Sequence, residues 1–179
     1  MKKKLLSLLL VLLMLASILP ASALAANKTF GDFFAGLPLI AETEPGSSNS
    51  TKKWKVTTLD GEDVLMSGNK DKSNSSSTLQ LTMTADTNLS FEYKVSTEKN
   101  YDKLTITQGS KTLVNGVSGV IDWTRLEIDA KSDDVITIVY KKDSSGNKND
   151  DCVYIRSFAA GAPTIITLSL IHISEPTRH

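Results

Sequence analysis

Between positions 78 and 158 the chain alternates apolar and polar residues. Leu89, Phe91, Tyr93 and Val95 fall at every second position, with Ser90, Glu92 and Lys94 between them. Side chains of an extended chain point to opposite faces with period two, so this stretch has one dry face and one wet face. Similar short runs are read near 54–58, 63–67, 78–84, 88–96, 101–107, 111–115, 121–129, 134–141 and 151–158. Turn-forming clusters separate them: Asp60-Gly61, the Ser/Asn/Lys run from Ser67 to Ser77, Gly109-Ser110, Ser118-Gly119 and Ser144-Ser145-Gly146-Asn147. Eight or nine short strands spaced by such turns predict an all-β domain, an antiparallel β-sandwich or barrel. Val135 to Val139 is apolar on both faces apart from Thr137, which predicts a central strand. Ile121 and Trp123 share one parity and Leu126 and Ile128 the other, a phase change that predicts a bulge or a strand bending between sheets. Ahead of these strands, residues 26–53 carry an apolar lead of Phe30, Phe33, Phe34, Leu37, Leu39 and Ile40, readable as an edge strand or a short helix. A loop by composition follows at Pro45 to Ser50.

The two ends break the pattern. Lys2, Lys3 and Lys4 precede the apolar run Leu5 to Leu19, then Pro20 and small residues. Ala23-Leu24-Ala25 has the form of a signal-peptidase site, which would start the mature chain at Ala26, and Ala21-Ser22-Ala23 is a second option. The run of about 15 residues is short of the ~20 that span a bilayer, so a cleaved leader is expected over residues 1–25 and no membrane span after it; the competing reading is an uncleaved anchor. At the other end, Leu168 to Arg178 resembles, residue for residue, the translation of a transposase adapter used in sequencing libraries. Residues 161–179 are therefore expected to be a linker and a foreign tail, with the natural protein continuing past about Thr167. His172 and His179 both lie in or after that run, which leaves the preceding residues without a histidine for a nucleophilic triad or a metal site.

Residues 26–167 are enough for one domain with a real core. The whole chain carries 20 basic and 20 acidic residues; without Lys2, Lys3, Lys4, Glu175 and Arg178 the balance is slightly acidic, at 16 against 19. No basic patch argues for nucleic acid and no polybasic arm for a membrane surface. Cys152 is the single cysteine, so no disulfide can form within the domain and the fold must rest on its core. A buried strand thiol is the expected state, with an interchain disulfide as the alternative.

The block from Trp54 to Ile155 resembles a jelly-roll module of bacterial surface and secreted proteins, the choice-of-anchor-J or cleaved-adhesin type, which is similar in architecture to the MAM domain. The residues that carry the resemblance are Ser67-Gly68-Asn69, Ser75 to Leu79, Leu89 to Ser96, Glu98 to Leu104, Ser118-Gly119 with Asp122-Trp123, Tyr140 to Ser144, and Asp150 to Ile155. It implies a sandwich over residues 54–160 and a non-catalytic role beside adhesins, glycan-degrading enzymes or peptidases. The partners it implies are a glycan or a protein of the host or cell surface. Members of the type place an acid where this chain has Arg156, after Tyr154-Ile155, which puts any role of that acid in doubt.

Two kinds of chemistry remain. Glu98 and Asp102 flank one loop, and Asp143, Asp150 and Asp151 lie around the loop before the last strand. Ca²⁺ takes six to eight oxygens, which suits acidic loops meeting at one end of a sandwich, so Glu98, Asp102, Asp143 and Asp150 are candidate calcium ligands. The run Tyr101-Asp102-Lys103-Leu104-Thr105-Ile106 also resembles a segment of CUB domains whose Asp binds calcium in many members. The competing reading makes these acids solvated turn residues, with Asp102 capping a turn. Among Trp54, Trp123, Tyr93, Tyr101, Tyr140 and Tyr154, any could stack on a sugar, although most share strand phase with apolar neighbours and read as core. Tyr154 shares parity with Cys152 and Arg156, opposite Val153 and Ile155, and is the expected ligand-binding aromatic. A carboxylate pair for glycoside hydrolysis has no sequence signal beyond the abundance of acids, and no Gly-rich phosphate loop is present. The expectation is a module without catalysis, serving adhesion or glycan binding, or else a spacer beside a hydrolase or peptidase.

Overall fold

The computed structural model describes residues 28–47 and 52–162. The expected leader, its cleavage site and the adapter-like run lie outside the described residues. Within them the chain is a β-sandwich of ten strands: β1 (Leu39–Thr43), β2 (Lys55–Leu59), β3 (Glu62–Met66), β4 (Ser76–Met83), β5 (Thr87–Ser96), β6 (Lys103–Gln108), β7 (Lys111–Val117), β8 (Val120–Ala130), β9 (Val135–Lys141) and β10 (Cys152–Gly161). One sheet has the order β1-β4-β9-β6-β7 and the other β2-β3-β10-β5-β8, with every pairing antiparallel. The chain passes repeatedly from one sheet to the other, as in a jelly roll. Among the described residues no helix is long and apolar enough to cross a membrane.

The alternation builds the core directly. Leu79, Leu81 and Met83 of β4 meet Leu104 and Ile106 of β6 and Ile136, Ile138 and Tyr140 of β9 on the inner face of the first sheet. Leu89, Phe91, Tyr93 and Val95 of β5 line the second sheet's inner face with Val153 and Ile155 of β10. β9 is central, as its composition predicts, but it buries one face: Val135, Thr137 and Val139 on the other face are half-buried. The phase change in β8 is a bulge. Tyr93 pairs with Thr124 and Val95 with Ile121, so three steps of β8 oppose two of β5.

Both readings of the lead segment hold. Gly31–Phe33 forms a single 3₁₀ turn that seats Phe33 in the core, and β1 then pairs with β4 at the sheet edge. Phe34 and Phe158 join the two ends of the described chain at a centroid distance of 4.8 Å.

The outer face of the second sheet departs from the simple pattern. Val64, Met66, Cys152 and Tyr154 form a second buried apolar cluster there, flanked by Leu59 and Trp123. Arg156 lies 4.1 Å from the Trp123 ring centroid and pairs with Glu62 and Glu92, so the basic residue at this position serves the sheet's own surface. Cys152 is free and buried in this cluster, and burial, ahead of the other influences, pushes its thiol up to about 11.

Candidate functional site

Three connections gather at one end of the sandwich. These are the 67–75 loop after β3, the 97–102 loop between β5 and β6, and the 142–151 loop between β9 and β10. They are tied by hydrogen bonds rather than by apolar contact. The Asn149 side-chain amide donates to the Thr97 carbonyl at 2.7 Å, the Asp150 N–H to Ser96 Oγ at 3.1 Å, and the Lys142 N–H to the Ser75 carbonyl at 2.8 Å. Asn149 and Asp151 hold positive φ, which short polar side chains tolerate, and this tight turn aims Asp151 inward.

Beneath the loops lies a buried polar cluster. Asp102 accepts the Asp143 backbone N–H at 3.0 Å. The Tyr140 hydroxyl stands between Asp102 Oδ2 and Asp151 Oδ1, 3.5 Å from each. Asp151 Oδ2 accepts the Asp71 N–H at 2.7 Å and is in contact with the Lys142 ammonium, which also donates to Asn147 Oδ1 at 3.0 Å. The Lys142 and Asp151 side chains are 1% and 2% exposed. Burial, opposed by the Asp143 N–H and by Lys142, holds the Asp102 carboxyl above its usual range. Burial also pushes the Tyr140 phenol far up, so it stays a neutral donor.

The candidate calcium ligands lie as follows. Glu98, Asp102, Asp143 and Asp150 share one end of the sandwich, but the described residues contain no group of three or more acids, histidines or cysteines arranged to hold a metal ion. The Glu98 carboxylate lies against Gly146, where an added Cβ would sit 2.0 Å from Oε2. Asp143 meets Asp102 through its backbone N–H, and the Asp150 carboxylate faces the Tyr154 hydroxyl. The positive charge beside Asp102 and Asp151 is the Lys142 ammonium. Asp102 is buried and accepts an N–H from a different loop, so it is not the solvated turn residue of the competing reading. Lys142 is the residue that sequence reasoning missed, whereas Asp151 is among the acids it places around this loop. A lysine inside the polar run Lys141 to Asp151 carries no signal of burial.

Tyr154 is the aromatic that the alternation offers as a ligand-binding residue. It stands on the outer face, as its parity requires, but is 5% exposed within the second apolar cluster, so its ring offers no free face to a sugar. The exposed aromatic is Tyr101, at 59%. Its ring lines a shallow cavity of about 220 Å³ with Lys103, Lys141, Lys142 and Asp143. Lys103 and Lys141 are directly opposite each other in the β6–β9 register, both exposed, and neither has an ion-pair partner among the described residues. Like charges placed opposite across a strand pair are destabilising, so nothing in the packing of the sheet accounts for this pair.

No family model matches the chain, and no curated protein does. Among solved structures, the chain is similar to the secreted serine protease VesC from Vibrio cholerae, with a TM-score of 0.55 and 16% identity over 78% of this chain and 28% of that one. The chain thus spans little more than a quarter of that protein, and the likeness is one of fold. A structure described as "CBM4 structure and function" aligns with a TM-score of 0.33 and 11% identity, over 76% of this chain and 92% of that one.

Proposed function

We propose that the chain is an exported, non-catalytic module of the choice-of-anchor-J or cleaved-adhesin type that binds glycans carrying negative charge, as part of a bacterial surface or secreted protein. The observation that carries the reading is the exposed Tyr101 ring beside the unpartnered, facing Lys103 and Lys141 over one cavity. An aromatic face provides a flat apolar platform for a sugar ring, and two ammonium groups across a strand pair suit a carboxylate or sulfate on it. The leader-like first 25 residues and the resemblance of the Trp54 to Ile155 block support export and the module type. Asp102 and Asp151 are buried and hydrogen-bonded and Asp150 faces the Tyr154 hydroxyl, so these acids do not compete with the exposed Lys103 and Lys141 for a ligand.

The test is retention on a panel of polyuronates, sulfated polysaccharides and neutral glucans. Charged polysaccharides should retain the protein, and retention should weaken as salt shortens the Debye length toward about 3 Å at 1 M. Tyr101→Ala should weaken binding about tenfold or more, as expected for an aromatic anchor. Lys103→Ala with Lys141→Ala should abolish the preference for charged over neutral ligands. No retention on any member of the panel would leave the spacer reading, a module that positions a neighbouring hydrolase or peptidase domain.

A further inference from the structure

The buried cluster at the loop end has parts that a charged-pair reading does not use. A lysine and an aspartate are both removed from water, side by side, with a second buried carboxyl group beyond them and a hydroxyl between the two acids. Such a pair is costly to keep ionised away from water. Passing one proton from Lys142 Nζ to Asp151 removes both charges and leaves a free amine against a carboxylic acid.

We infer that Lys142 and Asp151 condense into an intramolecular amide bond that covalently closes the β9–β10 loop. Nζ attacks Cγ of Asp151, forming the C–N bond. In the resulting tetrahedral centre, Oδ2 is the oxygen held by the Asp71 N–H at 2.7 Å, a donor placed where negative charge develops. Oδ1 faces the Tyr140 hydroxyl and is the oxygen that leaves. Oδ1, carrying the proton that Asp151 took from Nζ, receives a second from Asp102 through Tyr140, the C–O bond breaks and one water departs; the proton that the nitrogen gives up returns to Asp102, which ends as it began. No oxidant, reductant or activated carrier is needed: amine and acid become amide and water. Burial holds the Asp102 carboxyl above its usual range, which favours the protonated form that the relay starts from. Proximity substitutes for chemical activation, since Nζ is held beside the Asp151 carboxyl group.

The deciding measurement is the intact mass of the folded, purified chain under denaturing conditions. The expected result is a mass short by one water. Trypsin should then leave a branched peptide joining residues 142–148 to 149–156, because an acylated lysine is not cleaved. Lys142→Arg should restore the full mass. If that variant does not fold, the branched peptide from the unmodified protein decides by itself. Asp102→Asn should slow bond formation at least tenfold after refolding, and formation at the unchanged rate would overturn the relay. A full unmodified mass in the folded protein after prolonged incubation would overturn the crosslink. So would a water loss that maps to one unbranched peptide and reverses in mild base, which marks a succinimide.

Discussion

Truncating Tyr154 separates a structural residue from a ligand-binding one. The ring is 5% exposed and packs with Val64, Met66 and Cys152 on the outer face of the second sheet. Replacing a buried aromatic by alanine costs about 3–5 kcal/mol. Leu59 and Trp123, which flank the cluster, are half-buried and can relax into the gap, so the lower end, about 3 kcal/mol, is expected for Tyr154→Ala. At roughly 2–4 °C per kcal/mol for a domain of this size, the melting temperature should fall by about 6–12 °C. Tyr154→Phe keeps the ring and removes the hydroxyl that faces Asp150 and Cys152, which should cost about 1 kcal/mol. Urea unfolding followed by the fluorescence of Trp54 and Trp123 reports both variants, with equal slopes marking a pure change in stability. Polysaccharide retention of Tyr154→Phe should equal that of the parent protein. A Tyr154→Ala variant within about 0.5 kcal/mol of the parent, the range of ordinary surface changes, would refute the burial argument. Loss of retention at full stability would return Tyr154 to the binding surface.

Three further outcomes are expected. Gly68→Ala should destabilise by about 1–3 kcal/mol or prevent folding, because an added Cβ would lie 2.1 Å from the Lys53 carbonyl oxygen and 2.5 Å from the Lys52 carbonyl carbon, backbone that cannot swing aside; thermal melts measure it. Cys152 should resist a thiol reagent in the folded protein near neutral pH and react in denaturant, since it is buried and its thiol is pushed up to about 11. Asp102 has a folded-state pKa above its ordinary 3.8, so its contribution to stability is fully present below 3.8 and is lost as pH rises through the raised value. The stability of Asp102→Asn relative to the parent should therefore rise with pH across that window, measured by paired melts in which the other acids cancel.

Much of the sandwich is written in the alternation. Period two names the inner face of β4, β5 and β9 because each such face meets an opposing sheet, and the parity break at Trp123 marks the β8 bulge. The same rule assigns Tyr154 correctly to the outer face but is silent on whether that face is wet. Val64, Met66 and Cys152 come from two strands far apart in sequence, and their union covers the ring. The candidate site was less legible for the same reason. Lys103 and Lys141 become neighbours through β6–β9 pairing, and Lys142 is buried by three loops that converge from separate parts of the chain. Acidic residues in loops suggest a cation, and here the cation beside Asp151 is a lysine of the chain itself.

The bulged strand β8 has a consequence for behaviour at high concentration. Among the described residues it is the longest strand, Val120–Ala130, and it lies at the rim of its sheet with no strand paired to its outer edge. Such a rim can template the strand of another molecule and seed insoluble fibres. Asp122, Arg125, Glu127 and Asp129 punctuate that rim with exposed charge, and the bulge twists it out of a flat register. A chain without disulfide staples spends time partly open, and in those moments this charged, kinked border keeps one copy from zipping onto the next.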